Sequence, residues 1–80
     1  MREFILYGTS ACHLCEQAET VLANVLAVHA DWRIALVDIA ERDDWIAQYG
    51  TRIPVFAEGQ RELDWPFDEA AVTAFAEQSQ

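Results

Sequence analysis

Tyr7-Gly8-Thr9-Ser10-Ala11-Cys12-His13-Leu14-Cys15 joins an apolar run to a long amphipathic one, and it holds both cysteines of an 80-residue chain. Upstream, Met1 to Tyr7 reads as a strand, with Phe4-Ile5-Leu6 apolar on successive residues, as in a strand covered on two sides. Gly8-Thr9-Ser10 breaks that run with turn and N-cap chemistry. Downstream, Leu14, Ala18, Val21, Leu22, Val25 and Val28 recur at helical spacing, which predicts a helix from about Cys12 to about His29. Glu16, Gln17, Glu19, Thr20 and Asn24 form its solvated face. Both cysteines therefore fall at a strand-to-helix junction. Unpaired backbone N–H groups and the positive end of the helix dipole meet a thiol there, and both favour thiolate.

Composition narrows the function classes. The length allows one domain, spanning residues 1–80, with a modest core. Fourteen acidic residues stand against five arginines, no lysine is present, and the net charge is −9; this argues against nucleic acid or an anionic membrane as partner. Two cysteines three positions apart are not a disulfide scaffold, which needs several widely separated pairs. Arg2 and Glu3 precede only a short apolar run, so no secretory signal is read, and no stretch is long enough to cross a bilayer. The expectation is a cytoplasmic monomer whose cysteines rest as thiols.

The remaining elements follow from pattern. Trp32 to Val37 reads as a second strand, again buried on both faces, and strand–helix–strand predicts a right-handed unit with parallel strands. Asp38 to Asp44 is turn-like, with Asp43 or Asp44 as N-cap of a short helix whose stripe is Trp45, Ile46 and Tyr49 and whose C′ residue is Gly50. Thr51-Arg52-Ile53-Pro54 leads into a third strand at Val55-Phe56-Ala57. Glu58-Gly59 turns the chain back into a fourth at Gln60 to Leu63. Pro66 suits the first turn of a last helix, with Phe67, Ala70, Ala71, Ala74 and Phe75 facing inward and Glu77 to Gln80 fraying. The order is β-α-β-α-β-β-α with a central four-stranded mixed sheet flanked by helices.

Cys12-His13-Leu14-Cys15 after a strand, and Arg52-Ile53-Pro54 before one, resemble the thioredoxin and glutaredoxin superfamily. With Glu62-Leu63-Asp64-Trp65-Pro66-Phe67-Asp68, the chain is similar over nearly its full length to the small bacterial glutaredoxin-like proteins. The resemblance implies an α/β thioredoxin fold and a cis bond at Ile53-Pro54, where the residues alone leave trans favoured. It also implies an exposed Cys12, with Cys15 one turn deeper. The departures are specific. His13 and Leu14 stand where glutaredoxins carry proline and tyrosine, Arg52 stands where they carry threonine, and the Leu63-Asp64-Trp65 region replaces the glycine pair that holds glutathione.

Cys12 and Cys15 are the candidate catalytic residues of a thiol–disulfide oxidoreductase: Cys12 attacks a disulfide and Cys15, within one helical turn, resolves the mixed disulfide. His13 either modulates the thiolate or is an ordinary first-turn histidine. Arg52, Ile53, Pro54 and Trp65 are the candidate substrate-binding residues. Arg52 either meets a substrate carboxylate or is an ordinary exposed arginine, and Trp65 belongs near the rim of the site. The expected partners are protein or glutathione disulfides and a thiol reductant system, with glutathione a candidate reductant or co-substrate and no other cofactor. No zinc site is expected: one Cys-x-x-Cys pair supplies two ligands of four, and only His13 and His29 remain. The alternatives are a soft-metal binding or delivery module using the Cys12 and Cys15 thiolates, and a thioredoxin-fold binding module without turnover.

Overall fold

The computed structural model describes residues 2–78. The elements are β1 (Arg2–Gly8), α1 (His13–Leu26), β2 (Trp32–Asp38), a single 3-10 turn (Ile39–Glu41), α2 (Asp43–Tyr49), β3 (Val55–Glu58), β4 (Arg61–Asp64) and α3 (Glu69–Glu77). They form one mixed sheet in the order β2-β1-β3-β4. Pairing of β1 with β2 is parallel and that of β3 with β4 antiparallel, as the sequence pattern predicts, and β3 joins the two units by pairing antiparallel to β1. The expectations placed on Met1, Ser79 and Gln80 lie outside the described residues.

Alternation along the strands divides the sheet into two faces. On one, Phe4, Leu6 and Phe56 meet Ala18, Leu22 and Val25 of α1 and Val72, Phe75 and Ala76 of α3. Phe56 is fully buried, with the rings of Phe4 and Phe75 at 4.9 and 5.6 Å. Arg61 fastens β4 to α3: its guanidinium donates to the Phe75 carbonyl and lies 4.2 Å from the Phe75 ring centre. On the other face a smaller cluster of Ile39, Tyr49 and Val55 gathers Tyr7, Trp45 and Ile53 beneath α2.

Burial on both faces holds for the interior strand β3 and fails for β2. β2 is an edge strand, and α2, at seven residues, is about 10 Å long and covers only one end of the second face. Ala35 is therefore exposed, and Leu36 is 63% exposed beside a groove of about 200 Å³ between α1 and β2.

Several boundaries move for local reasons. α1 stops at Leu26, because the N–H groups of Val28 and His29 turn back only three residues, to the carbonyls of Val25 and Leu26, and this leaves Val28 outside and exposed. Leu14, expected in its apolar stripe, is 44% exposed in the first turn. Arg42, not Asp43 or Asp44, is the N-cap of α2; the two aspartates occupy its first turn, where the dipole favours them, and Asp44 pairs with Arg42 at 2.7 Å. Ile46 faces outward, leaving Trp45 and Tyr49 as the packed residues. Gly50 ends α2 in right-handed geometry rather than as a left-handed C′ residue; a Cβ there would sit 2.6 Å from the Ile46 carbonyl oxygen, so close approach demands the glycine. β4 runs one residue later than the pattern predicts, from Arg61 to Asp64. Pro66 precedes α3 instead of opening it: Trp65-Pro66 is a second cis bond, and Asp68 caps the helix by accepting from the Ala71 N–H at 2.8 Å. That start sets which face packs. Val72, Phe75 and Ala76 turn inward, while Ala70 and Ala74 are exposed.

Candidate functional site

The residues that follow β1 must leave an extended strand and enter a helix within four positions. Ala11 does so at φ 58°, a left-handed conformation that costs an alanine on the order of 1 kcal/mol. Cys12 then takes the N-cap position. Its Sγ accepts the N–H of Cys15 at 3.1 Å, so one of the open donors of the first turn points at this sulfur. Cys12 and Cys15 are joined in a disulfide, with Cα atoms 5.2 Å apart. The two differ in access: Cys12 is half-buried and Cys15 is 3% exposed. Cys15 sinks this far because Gly8 lies beneath it; a Cβ at Gly8 would stand 3.0 Å from the Cys15 Sγ.

Hydrogen bonds and stacking tie this junction to the ends of three strands. Thr9 donates from Oγ1 to Asp38 Oδ1 at 3.1 Å, and the same oxygen accepts from Ala40 N–H at 2.9 Å. Tyr7 stacks on Tyr49 with ring centres 4.1 Å apart. Tyr7 is also paired with Val55, so Pro54, buried and preceded by a cis bond, stands at the same end of the sheet as Gly8. The Pro54 carbonyl accepts from the Trp65 N–H at 3.3 Å.

Of the residues singled out from sequence, Cys12, His13 and Cys15 share the start of α1, with His13 exposed. Ile53 packs with the cluster under α2. Trp65 is half-buried against the opposite core, its ring meeting Phe67 edge-on at 4.9 Å. Arg52 holds β4: one Nη donates to Glu62 at 2.7 Å and to Asp64 at 2.8 Å. The same Glu62 accepts the Tyr49 hydroxyl at 2.7 Å, and Arg52 lies 5.3 Å from the Tyr49 ring centre. The Arg52 and Tyr49 donors hold the Glu62 carboxyl below its ordinary range. Burial and the bond to Glu62 push the Tyr49 hydroxyl up, and Asp64 and Glu62 raise the Arg52 guanidinium further.

Gly8, Tyr49, Glu62 and Asp64 were not among the candidates drawn from sequence. Glu62 and Asp64 did carry a signal: two acids at spacing two on a strand share a face, and such a pair suits one arginine. Among the described residues, no group of three or more His, Cys, Asp or Glu side chains is arranged to hold a metal ion, and no helix is long and apolar enough to cross a membrane.

Residues 3–77 match the Glutaredoxin-like domain family. The crystal structure of target protein XcR50 from X. campestris is 35% identical, with a TM-score of 0.84, over 96% of this chain and 99% of that one. The solution structure of XcR50 gives 34% identity and a TM-score of 0.80, over 100% and 97%. The germline-specific thioredoxin Deadhead from Drosophila melanogaster, 17% identical, superposes with a TM-score of 0.63 over 98% of this chain and 80% of that one, so the fold is the thioredoxin fold. No curated protein matches the chain.

Proposed function

The chain belongs to the glutaredoxin-like domain family, and from that premise we propose that it is a dithiol oxidoreductase that reduces or exchanges disulfides through Cys12 and Cys15. One observation carries the reading: two bonded sulfurs at a helix N-terminus, one within reach of solvent and the other almost fully covered. The accessible sulfur receives an N–H hydrogen bond and lies at the positive end of α1, which lowers the cost of carrying charge.

In the reduced protein the Cys12 thiolate attacks one sulfur of a substrate disulfide. A bond forms between Cys12 and that sulfur, and the other half leaves as thiolate. The Cys15 thiolate then attacks Cys12 Sγ, closes the Cys12–Cys15 bond and releases the second half. Two electrons pass from the dithiol to the substrate, and its two thiolates take up the protons. Two equivalents of a monothiol such as glutathione, or one of a protein dithiol, reverse the change and end as a disulfide. His13, exposed beside Cys12, serves as the group that trades the Cys12 proton with solvent. The backbone of the cis Pro54 segment, at the same end of the sheet as Gly8, is the part of this loop that would meet the substrate backbone, with Arg52 beside it in sequence.

The test compares Cys12→Ser with Cys15→Ser in the reduced protein. Cys15→Ser should retain one fast-alkylating, low-pKa thiol and accumulate a stable mixed disulfide. Cys12→Ser should lose both, with turnover falling at least a thousandfold. Two equally slow thiols in the wild type would defeat the reading. Rates on a glutathione mixed disulfide against rates on insulin then choose the substrate class.

A further inference from the structure

The register of the sheet sorts charge between its two ends. Asp38 is level with Gly8, and Asp64 is level with Val55, the residue after Pro54, so both stand at the end that carries the cysteines. Glu16 follows Cys15 directly, and its N–H bonds to the Cys12 carbonyl. Glu62 shares the Asp64 face of β4 and is tied to the same arginine. Arg2, Arg33 and Arg61 belong to the opposite end, at the starts of β1, β2 and β4. Glu3 and Glu58 stand there with them, and Glu58 pairs with Arg2 and Arg61, so that end is close to balanced and the excess of carboxylate lies at the cysteine end. Of the other two arginines, Arg42 is paired with Asp44. Arg52 is held by two carboxylates, so the trio of Arg52, Glu62 and Asp64 carries net negative charge.

We propose that this end of the molecule selects disulfides carrying positive charge, so that its substrates are disulfides in cationic peptide or protein surroundings. The inference rests on the redox reading of Cys12 and Cys15 and goes beyond it by naming the substrate class. The reacting site is the dithiol itself, and the carboxylates at its end of the sheet set the sign of the field through which a substrate must approach. A cation gains local concentration there and an anion loses it. Glutathione disulfide, with two carboxylates and one ammonium on each half, arrives against this field. The effect is long-range and therefore sensitive to salt, whereas the intrinsic reactivity of a disulfide is not.

The experiment follows single-turnover oxidation of pre-reduced protein by three small disulfides: cationic cystamine, uncharged hydroxyethyl disulfide and anionic dithiodipropionate. Each rate is divided by the rate with dithiothreitol, which cancels leaving-group differences. The expected cystamine-to-dithiodipropionate ratio is about tenfold at low ionic strength and falls toward unity as salt is raised. Asp64→Asn and Glu16→Gln should each lower the ratio by about twofold; a change in thiolate fraction moves all three substrates together and cancels. Glu16 has an exposed side chain, so its variant keeps the test open should Asp64→Asn fold poorly. Reaction with hydroxyethyl disulfide, combined with a ratio near one or insensitive to salt, overturns this inference and leaves the redox reading standing. No reaction with hydroxyethyl disulfide overturns the redox reading and this inference with it.

Discussion

Under α1 and α3 the sheet meets a layer of phenylalanines and aliphatic side chains with no buried polar side chain among the described residues. Under α2 it meets two tyrosines and a tryptophan, and a carboxylate and a guanidinium close the cluster. The first face has the composition of a core that resists unfolding. The second is smaller and depends on directional bonds, and it lies beside the cysteine junction. The contrast teaches that the apolar face supplies most of the stability and also seats Cys15 over Gly8, while polar contacts on the other face fix the strand ends beside it.

Breaking the first face should cost most. Phe56→Ala removes a fully buried ring packed on Phe4, Phe67 and Phe75, and it should destabilise the protein by about 4 kcal/mol in denaturant melts. Disturbing the junction should cost less. Gly8→Ala places a methyl 3.0 Å from the Cys15 Sγ, so the sulfur or the strand must shift by a few tenths of an ångström. A loss of about 2 kcal/mol, measured on the oxidised protein, is expected. A wild-type melt for Gly8→Ala would mean that Cys15 is not held against β1.

The smallest effect lies in the polar cluster. Tyr49→Phe deletes one donor to Glu62 and should cost about 1 kcal/mol near neutral pH. It should also change the acid limb of stability. Glu62 has a lowered pKa in the fold, so its contribution is present above the ordinary glutamate value of about 4.3 and is lost as pH falls through the lower folded value. Removing the Tyr49 donor brings the two values closer, and the acid-dependent loss shrinks. Partial exposure of Glu62 and Arg52 keeps this term small, and a melt series from neutral to strongly acid pH, compared with wild type, measures it.

These contrasts explain what could be read from residues alone. β1, the start of α1 and the cysteine pair between them were legible because the signals are local: an apolar run, a turn tripeptide and a helical repeat. The parallel β1–β2 pairing and the β3–β4 hairpin followed from connection lengths. The exposure of β2 was not legible, since Ile34-Ala35-Leu36-Val37 reads as a covered strand until the strand order puts it on the edge. In α3, alanines lie on both sides of the helix, so apolar spacing could not choose among Ala70, Ala74 and Ala76; the Asp68 cap chose. The hold of Glu62 and Asp64 on Arg52 spans ten and twelve positions and exists only once the hairpin has folded.

The open flank of β2 has a bearing on how copies of the protein meet. Among the described residues no strand neighbours its outer backbone groups, and Leu36 offers an oily contact beside them, which is the arrangement by which one chain can extend the sheet of another. What opposes that encounter is mutual repulsion between molecules of charge −9. A pH near the isoelectric point of about 4.3, or concentrated salt, removes the repulsion and leaves the flank as it was, so self-association should begin there and grow under those conditions.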